Sequence, residues 1–90
     1  MLTVTRYTAT WCGPCKQLAP VFEELKSEMT NEASPILFQT IDVDMNKEEA
    51  MNSGISSVPT VILEKNGTQV YRFSGVLPKS VILGIIRKHL

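Results

Sequence analysis

The chain is poor in the residues that would place it quickly: it holds two cysteines, one histidine and one tryptophan among 90 residues. Two cysteines exclude the disulfide framework of a small secreted domain, and with a single remote histidine they fall short of a tetrahedral zinc site unless two copies share the ion. Excess charge of one sign is also missing. Nine Lys and Arg balance nine Asp and Glu, which leaves no basic surface for nucleic acid or an anionic membrane. No run approaches the roughly 18 apolar residues of a membrane span, and the opening MLTVTRYTAT enters a strand-like pattern without a charged leader. The expectation is a soluble, cytoplasmic protein whose partners are proteins or small thiols. Repeats, low-complexity tracts and Pro/Gly-rich linkers are absent too, so residues 1–90 read as a single domain.

What is present is strongly patterned. Leu2 and Val4 alternate with Thr3 and Thr5, the period of a strand with one apolar and one more polar face. From Pro14 to about Thr30, Leu18, Val21, Phe22, Leu25 and Met29 recur at helical spacing, which predicts an amphipathic helix kinked at Pro20. Ile36–Val43 has the β-branched, apolar content of a buried strand. Asn46 followed by Glu49 resembles the cap of a short helix that stops by Gly54. Thr60–Glu64 and Gln69–Phe73 flank an Asn66-Gly67 turn, a strong hairpin signal that outweighs the formal glycosylation acceptor at Asn66. Pro78 opens a last helix with a stripe of Val81, Ile82, Ile85, Ile86 and Leu90. Tyr7 and Phe73 are assigned to the core. The order β-α-β-α-β-β-α predicts an α/β fold, a four-stranded mixed sheet flanked by helices.

In such sheets the reactive groups collect where a strand ends and a helix begins, and TWCGPCK, Thr10 to Lys16, falls there. A disulfide across so short a loop constrains the unfolded chain very little, so stapling does not explain the pair. A helix N-terminus offers unpaired amides and the positive end of the helix dipole, both of which favour thiolate over thiol. Cys12, the outer residue, is therefore the predicted nucleophile. Cys15, one turn further on the same face, is the predicted resolving thiol. Cys12 would attack a substrate disulfide and Cys15 would release the reduced substrate, with no metal or organic cofactor. Gly13 leaves room for a partner backbone, and Pro14 fixes φ in the first turn. Trp11, beside an exposed thiol, is assigned to substrate contact. Asp42 and Asp44 are assigned to solvation and capping, and His89 to the last helical turn without a metal.

The stretch Trp11 to Lys16 resembles the Trp-Cys-Gly-Pro-Cys-Lys active site of the thioredoxin family. Further features follow in the family's order: Pro20, the strand end Ile41 to Asp44, Val58-Pro59-Thr60, Lys65-Asn66-Gly67 and Gly75. The resemblance covers nearly the whole chain. It implies a thioredoxin-like fold and a dithiol–disulfide oxidoreductase acting on protein disulfides, such as that of ribonucleotide reductase, with a thioredoxin reductase or glutathione as electron source. It also implies a cis Pro59 beside the disulfide, a Val58 that offers its backbone to an extended substrate, and a docking surface of Trp11, Gly13, Pro59 and Gly75.

The chain departs from the family in two places. Thioredoxins usually begin with a further strand and helix, so the fold is expected without them, with the second strand as an edge. Polar Thr3 and Thr5 fit an uncovered face, and an uncovered edge invites pairing with a second copy, although a monomer is the expected state. Six residues before the first cysteine, where the family commonly carries a buried aspartate, stands Arg6, and the accompanying lysine aligns with Thr40. A buried, unpaired guanidinium is unfavourable, so Arg6 is expected to extend its head to solvent. The competing expectation is that it reaches towards the active site and stabilises thiolate.

Two other functions compete with this reading. A glutaredoxin-like, glutathione-coupled enzyme suits the short length, but Gly13-Pro14 stands where glutaredoxins usually have Pro-Tyr. A non-catalytic module would use the same surface as a subunit of a larger complex. The active-site stretch together with Val58-Pro59-Thr60 favours the redox enzyme.

Overall fold

The computed structural model describes residues 1–29 and 35–90. Within them the elements follow in the order β1 (Leu2–Thr8), α1 (Gly13–Glu28), β2 (Ile36–Asp42), α2 (Lys47–Asn52), β3 (Thr60–Lys65), β4 (Thr68–Ser74) and α3 (Lys79–Lys88). Thr30, near which the sequence ends the first helix, lies outside the described residues; α1 closes at Glu28, where the Met29 amide donates to the Leu25 carbonyl.

The strands form one sheet in the order β2-β1-β3-β4. β1 runs parallel to β2, as a connection through a helix allows, and antiparallel to β3; β3 and β4 form the hairpin. Asn66 and Gly67 both have positive φ, 52° and 86°, the backbone that a two-residue hairpin selects and that Asn-Gly tolerates.

Alternation along the strands sets two faces. Leu2, Val4, Val61, Leu63 and Phe73 point to one, where Leu18, Phe22 and Leu25 of α1 and Ile82 and Ile86 of α3 close a single buried cluster. α1 continues through Pro20, which lies on its exposed side. The apolar stripe of α3 is narrower than its sequence predicts: Ile82 and Ile86 take the centre of the contact, and Val81 lies off it, 46% exposed. Lys79 ties α3 to α1 through Glu28 at 2.8 Å.

Tyr7 is buried facing the other way, and its hydroxyl donates to Ser53 Oγ at 3.0 Å. Arg72 donates to the carbonyls of Ser53 and Gly54, at the C-terminal end of α2, so the short helix is held from both β1 and β4. Its start differs from the expected cap. Asp42 Oδ1 accepts the amides of Asp44 and Met45, which folds the preceding turn on itself. Asn46 Nδ2 then donates to the Asp42 carbonyl at 3.0 Å and makes no side-chain cap.

β2 is an edge, and more open than the buried strand its composition suggests, with Leu37 42% exposed. Thr5, expected on an uncovered face, is buried and donates to Gln39 Oε1 at 3.3 Å.

The largest departure concerns Arg6. It shares a face with Leu2 and Val4 and is only 7% exposed, where the preferred sequence reading extended its head to solvent. Its guanidinium carbon lies 5.4 Å from the centroid of the Phe22 ring, and Nη2 donates to Thr40 Oγ1 at 3.4 Å across the β1–β2 register. A ring face and a hydroxyl offset part of the desolvation that argued for exposure. Nε is buried without a hydrogen-bond partner among the described residues. Burial lowers the Arg6 pKa from the ordinary arginine value, and Glu23 acts in the opposite sense.

Candidate active site

At the end of β1 the Thr8 carbonyl accepts the Val43 amide and the Ala9 carbonyl accepts the Cys12 amide at 3.2 Å, so the chain turns sharply into α1. Cys12 is the N-cap of that helix, with extended φ and ψ of −89° and 112°. Its Sγ accepts the Cys15 amide at 3.2 Å, the bond a serine or aspartate oxygen makes at other helix starts. Pro14 sits in the first turn, where a missing amide forfeits nothing. Cys12 and Cys15 are disulfide-bonded, with Cα atoms 5.3 Å apart. Ala9, Val43 and Val58 surround the pair as a small apolar cluster separate from the main core.

The sequence brings two distant segments to this point. Val58-Pro59 is a cis peptide, as the resemblance implies, and the Val58 carbonyl lies 3.6 Å from Cys12 Sγ. Thr60 and Ser74 pair at the ends of β3 and β4, so Gly75 meets Pro59, its amide donating to the Pro59 carbonyl at 2.9 Å. Gly75 has φ of 88°, a conformation that requires glycine.

Trp11 is 69% exposed, and its Nε1 donates to Asp44 Oδ2 at 2.8 Å. Asp44 therefore holds the indole, a role that solvation and capping did not anticipate; the partners are 33 residues apart and meet only because β1 and β2 end side by side. Asp42 keeps its expected place in the local turn. Trp11 and Val58 border a groove of about 160 Å³ with Val43, Ile55, Ser56 and Ser57. Gly13 and Pro14 are exposed, and a Cβ added at Gly13 would meet nothing within 4 Å. The sequence brings no signal for a second cavity, of about 220 Å³, that Cys15 shares with Arg6, Lys16 and Asp42. Among the described residues no group of three or more His, Cys, Asp or Glu is arranged to hold a metal, and no helix is long and apolar enough to cross a membrane.

What this geometry can do is exchange a disulfide. The bond is held at a helix start, where thiolate is favoured once the bond opens, and an apolar groove runs up to it. That is the equipment of a thiol–disulfide oxidoreductase. Comparison with known proteins narrows the class: the family model for thioredoxin matches residues 1–88. Thioredoxin from Bacillus subtilis is 42% identical over 84 residues, covering 93% of this chain and 78% of that protein. Thioredoxin from Listeria monocytogenes is 39% identical over 89 residues, covering 99% and 84%. The crystal structure of Fasciola hepatica thioredoxin superimposes with a TM-score of 0.87 at 35% identity, over 99% of this chain and 81% of that one. The chain belongs to the thioredoxin family, and it is a thioredoxin-type disulfide oxidoreductase with protein disulfides as substrates and a reductase as electron source.

Proposed function

We propose that residues 1–90 work as one redox domain in which Cys12 is the attacking thiol and Cys15 the resolving thiol. The observation that carries this is the Cys15 amide 3.2 Å from Cys12 Sγ at the start of α1, which in the reduced protein favours negative charge on Cys12. The Cys12 thiolate attacks one sulfur of a substrate disulfide; a Cys12–substrate bond forms, the substrate S–S bond breaks, and the departing thiolate takes a proton from solvent. Deprotonated Cys15 then attacks Cys12 Sγ, closes the internal disulfide and expels the second substrate thiolate. Two electrons leave the protein dithiol in the cycle, and a reductase restores them.

On the substrate side, the Val58 backbone pairs with an extended segment that lies across Trp11, Gly13, Pro14, Pro59 and Gly75. The exposed indole and the adjoining groove support this reading, since they offer apolar area beside the sulfur. The physiological substrate is a protein disulfide of the kind that ribonucleotide reductase regenerates, and the electrons come from a thioredoxin reductase rather than from glutathione, in the cytoplasm. The Gly-Pro spacer and the family match favour that source.

A Cys15→Ser variant challenged with a disulfide-bonded protein is expected to accumulate a mixed disulfide through Cys12, read by non-reducing electrophoresis and mass spectrometry. Cys12→Ser is expected to accumulate none. Trapping through Cys15, or continued turnover by Cys15→Ser, would reverse the assignment.

A further inference from the structure

The exchange just described makes no use of Arg6, yet among the described residues it is the one charged residue that is buried. Its guanidinium is fixed by the Phe22 ring and the Thr40 hydroxyl, its Nε has no hydrogen-bond partner among the described residues, and Arg6 and Cys15 both line the cavity of about 220 Å³. We propose that Arg6 is a positioning residue for the resolving step: it holds Cys15 as thiolate across this cavity. The proposal rests on Cys15 being the resolving thiol.

The physical need is plain. Cys15 attacks only without its proton, and at 1% exposure it sits where burial disfavours the charged form. The charged groups around it come from three elements. α1 supplies Lys16, and Glu23 acts on Arg6 from the same helix; β2 supplies Asp42; β1 supplies Arg6 itself; the residue across from Arg6 on β3 is the apolar Val61. Asp42 opposes a thiolate. Lys16 is exposed, so water screens it. Arg6 is the cation sheltered from solvent, and charge interactions are strongest there. The step then balances as before: the Cys15 proton leaves to water through a cavity that exposed Thr10 and Lys16 border, the Cys15–Cys12 bond forms, and the substrate sulfur departs with the electron pair. A fixed cation does by direct attraction what a proton acceptor would otherwise do.

The test follows Cys15 alone. In a Cys12→Ser background, ultraviolet thiolate absorbance is titrated with Arg6, Arg6→Lys and Arg6→Met. Without the cation Cys15 is expected to titrate higher by about one pH unit or more, with Arg6→Lys between. In the two-cysteine protein, resolution of a purified mixed disulfide by Arg6→Met is expected to be about threefold slower below both midpoints. Fewer thiolates form, but each is more nucleophilic, so the variant becomes the faster one above both. A merely structural loss would slow both ends of that profile. Equal Cys15 titration in folded Arg6 and Arg6→Met proteins overturns the proposal. If circular dichroism shows Arg6→Met unfolded, Arg6→Gln takes its place under the same criterion. The titration involves no turnover, so trapping a substrate through Cys15 would overturn the cysteine roles and leave the Arg6 result standing.

Discussion

At the scale of single residues, the sulfur that caps α1 by taking the Cys15 amide is also the one proposed to attack. Serine keeps an acceptor at that place. Cys12→Ser is therefore expected to unfold in urea within about 1 kcal/mol of the reduced parent while losing all disulfide exchange. Gly75 and Gly13 separate two uses of glycine. Gly75 holds φ of 88°, so Gly75→Ala is expected to lower stability by about 1–2 kcal/mol in the same experiment. Gly13 has open space above it, so Gly13→Ala should leave stability nearly unchanged and, if the proposed docking surface is used, raise KM for protein disulfides by placing a methyl in the path of the partner backbone. The Asp44 carboxylate steadies an exposed indole. Asp44→Ala is expected to change stability by less than about 1 kcal/mol, and steady-state kinetics should show the loss in KM rather than in kcat.

At the scale of elements, α1 carries both the main core and the active site, and Phe22 shows how closely the two are linked. It is fully buried, packs edge-on against Phe38 with centroids 5.5 Å apart, and lies under the Arg6 guanidinium. Phe22→Ala is expected to lower the unfolding free energy by about 3–5 kcal/mol. The contact of α1 with α3 has an ionic part. The hydrogen bond from Lys79 to Glu28 raises the Lys79 pKa above its ordinary 10.5, with Glu24 adding to it. A raised lysine contributes stability that is fully present below the unfolded value and is lost as pH climbs through the folded one. The difference between parent and Lys79→Met should therefore shrink above pH 10.5, and also with added salt, because the pair is exposed. Most of these elements were legible from period and turn chemistry: the apolar spacing of α1, the Asn66-Gly67 hairpin, and the Pro78 start of α3. The orientation of Arg6 was not, because it depends on the Phe22 ring one layer above and on the register that sets Thr40 beside it. Asn46 misled for a local reason, since its side-chain amide is engaged by the Asp42 carbonyl in the preceding turn and makes no cap bond.

At the scale of the whole molecule, the sheet order leaves β2 at one edge with Leu37 exposed. A monomer is expected by light scattering at all accessible concentrations. A dimer abolished by Leu37→Lys would instead assign that edge to self-association. The active-site stretch and Val58-Pro59 were legible as chemistry, while the assembly around them was not. Trp11 meets Asp44, and Cys15 comes to share a cavity with Arg6, only after β1 and β2 align and α1 settles on the sheet. One such neighbourhood has an optical consequence. The single tryptophan stands directly before the disulfide with its indole held in place, so emission from the unlabelled protein is expected to brighten when a quenching S–S bond opens. Light alone then reports what fraction of the molecules is oxidised, in real time and with no attached dye.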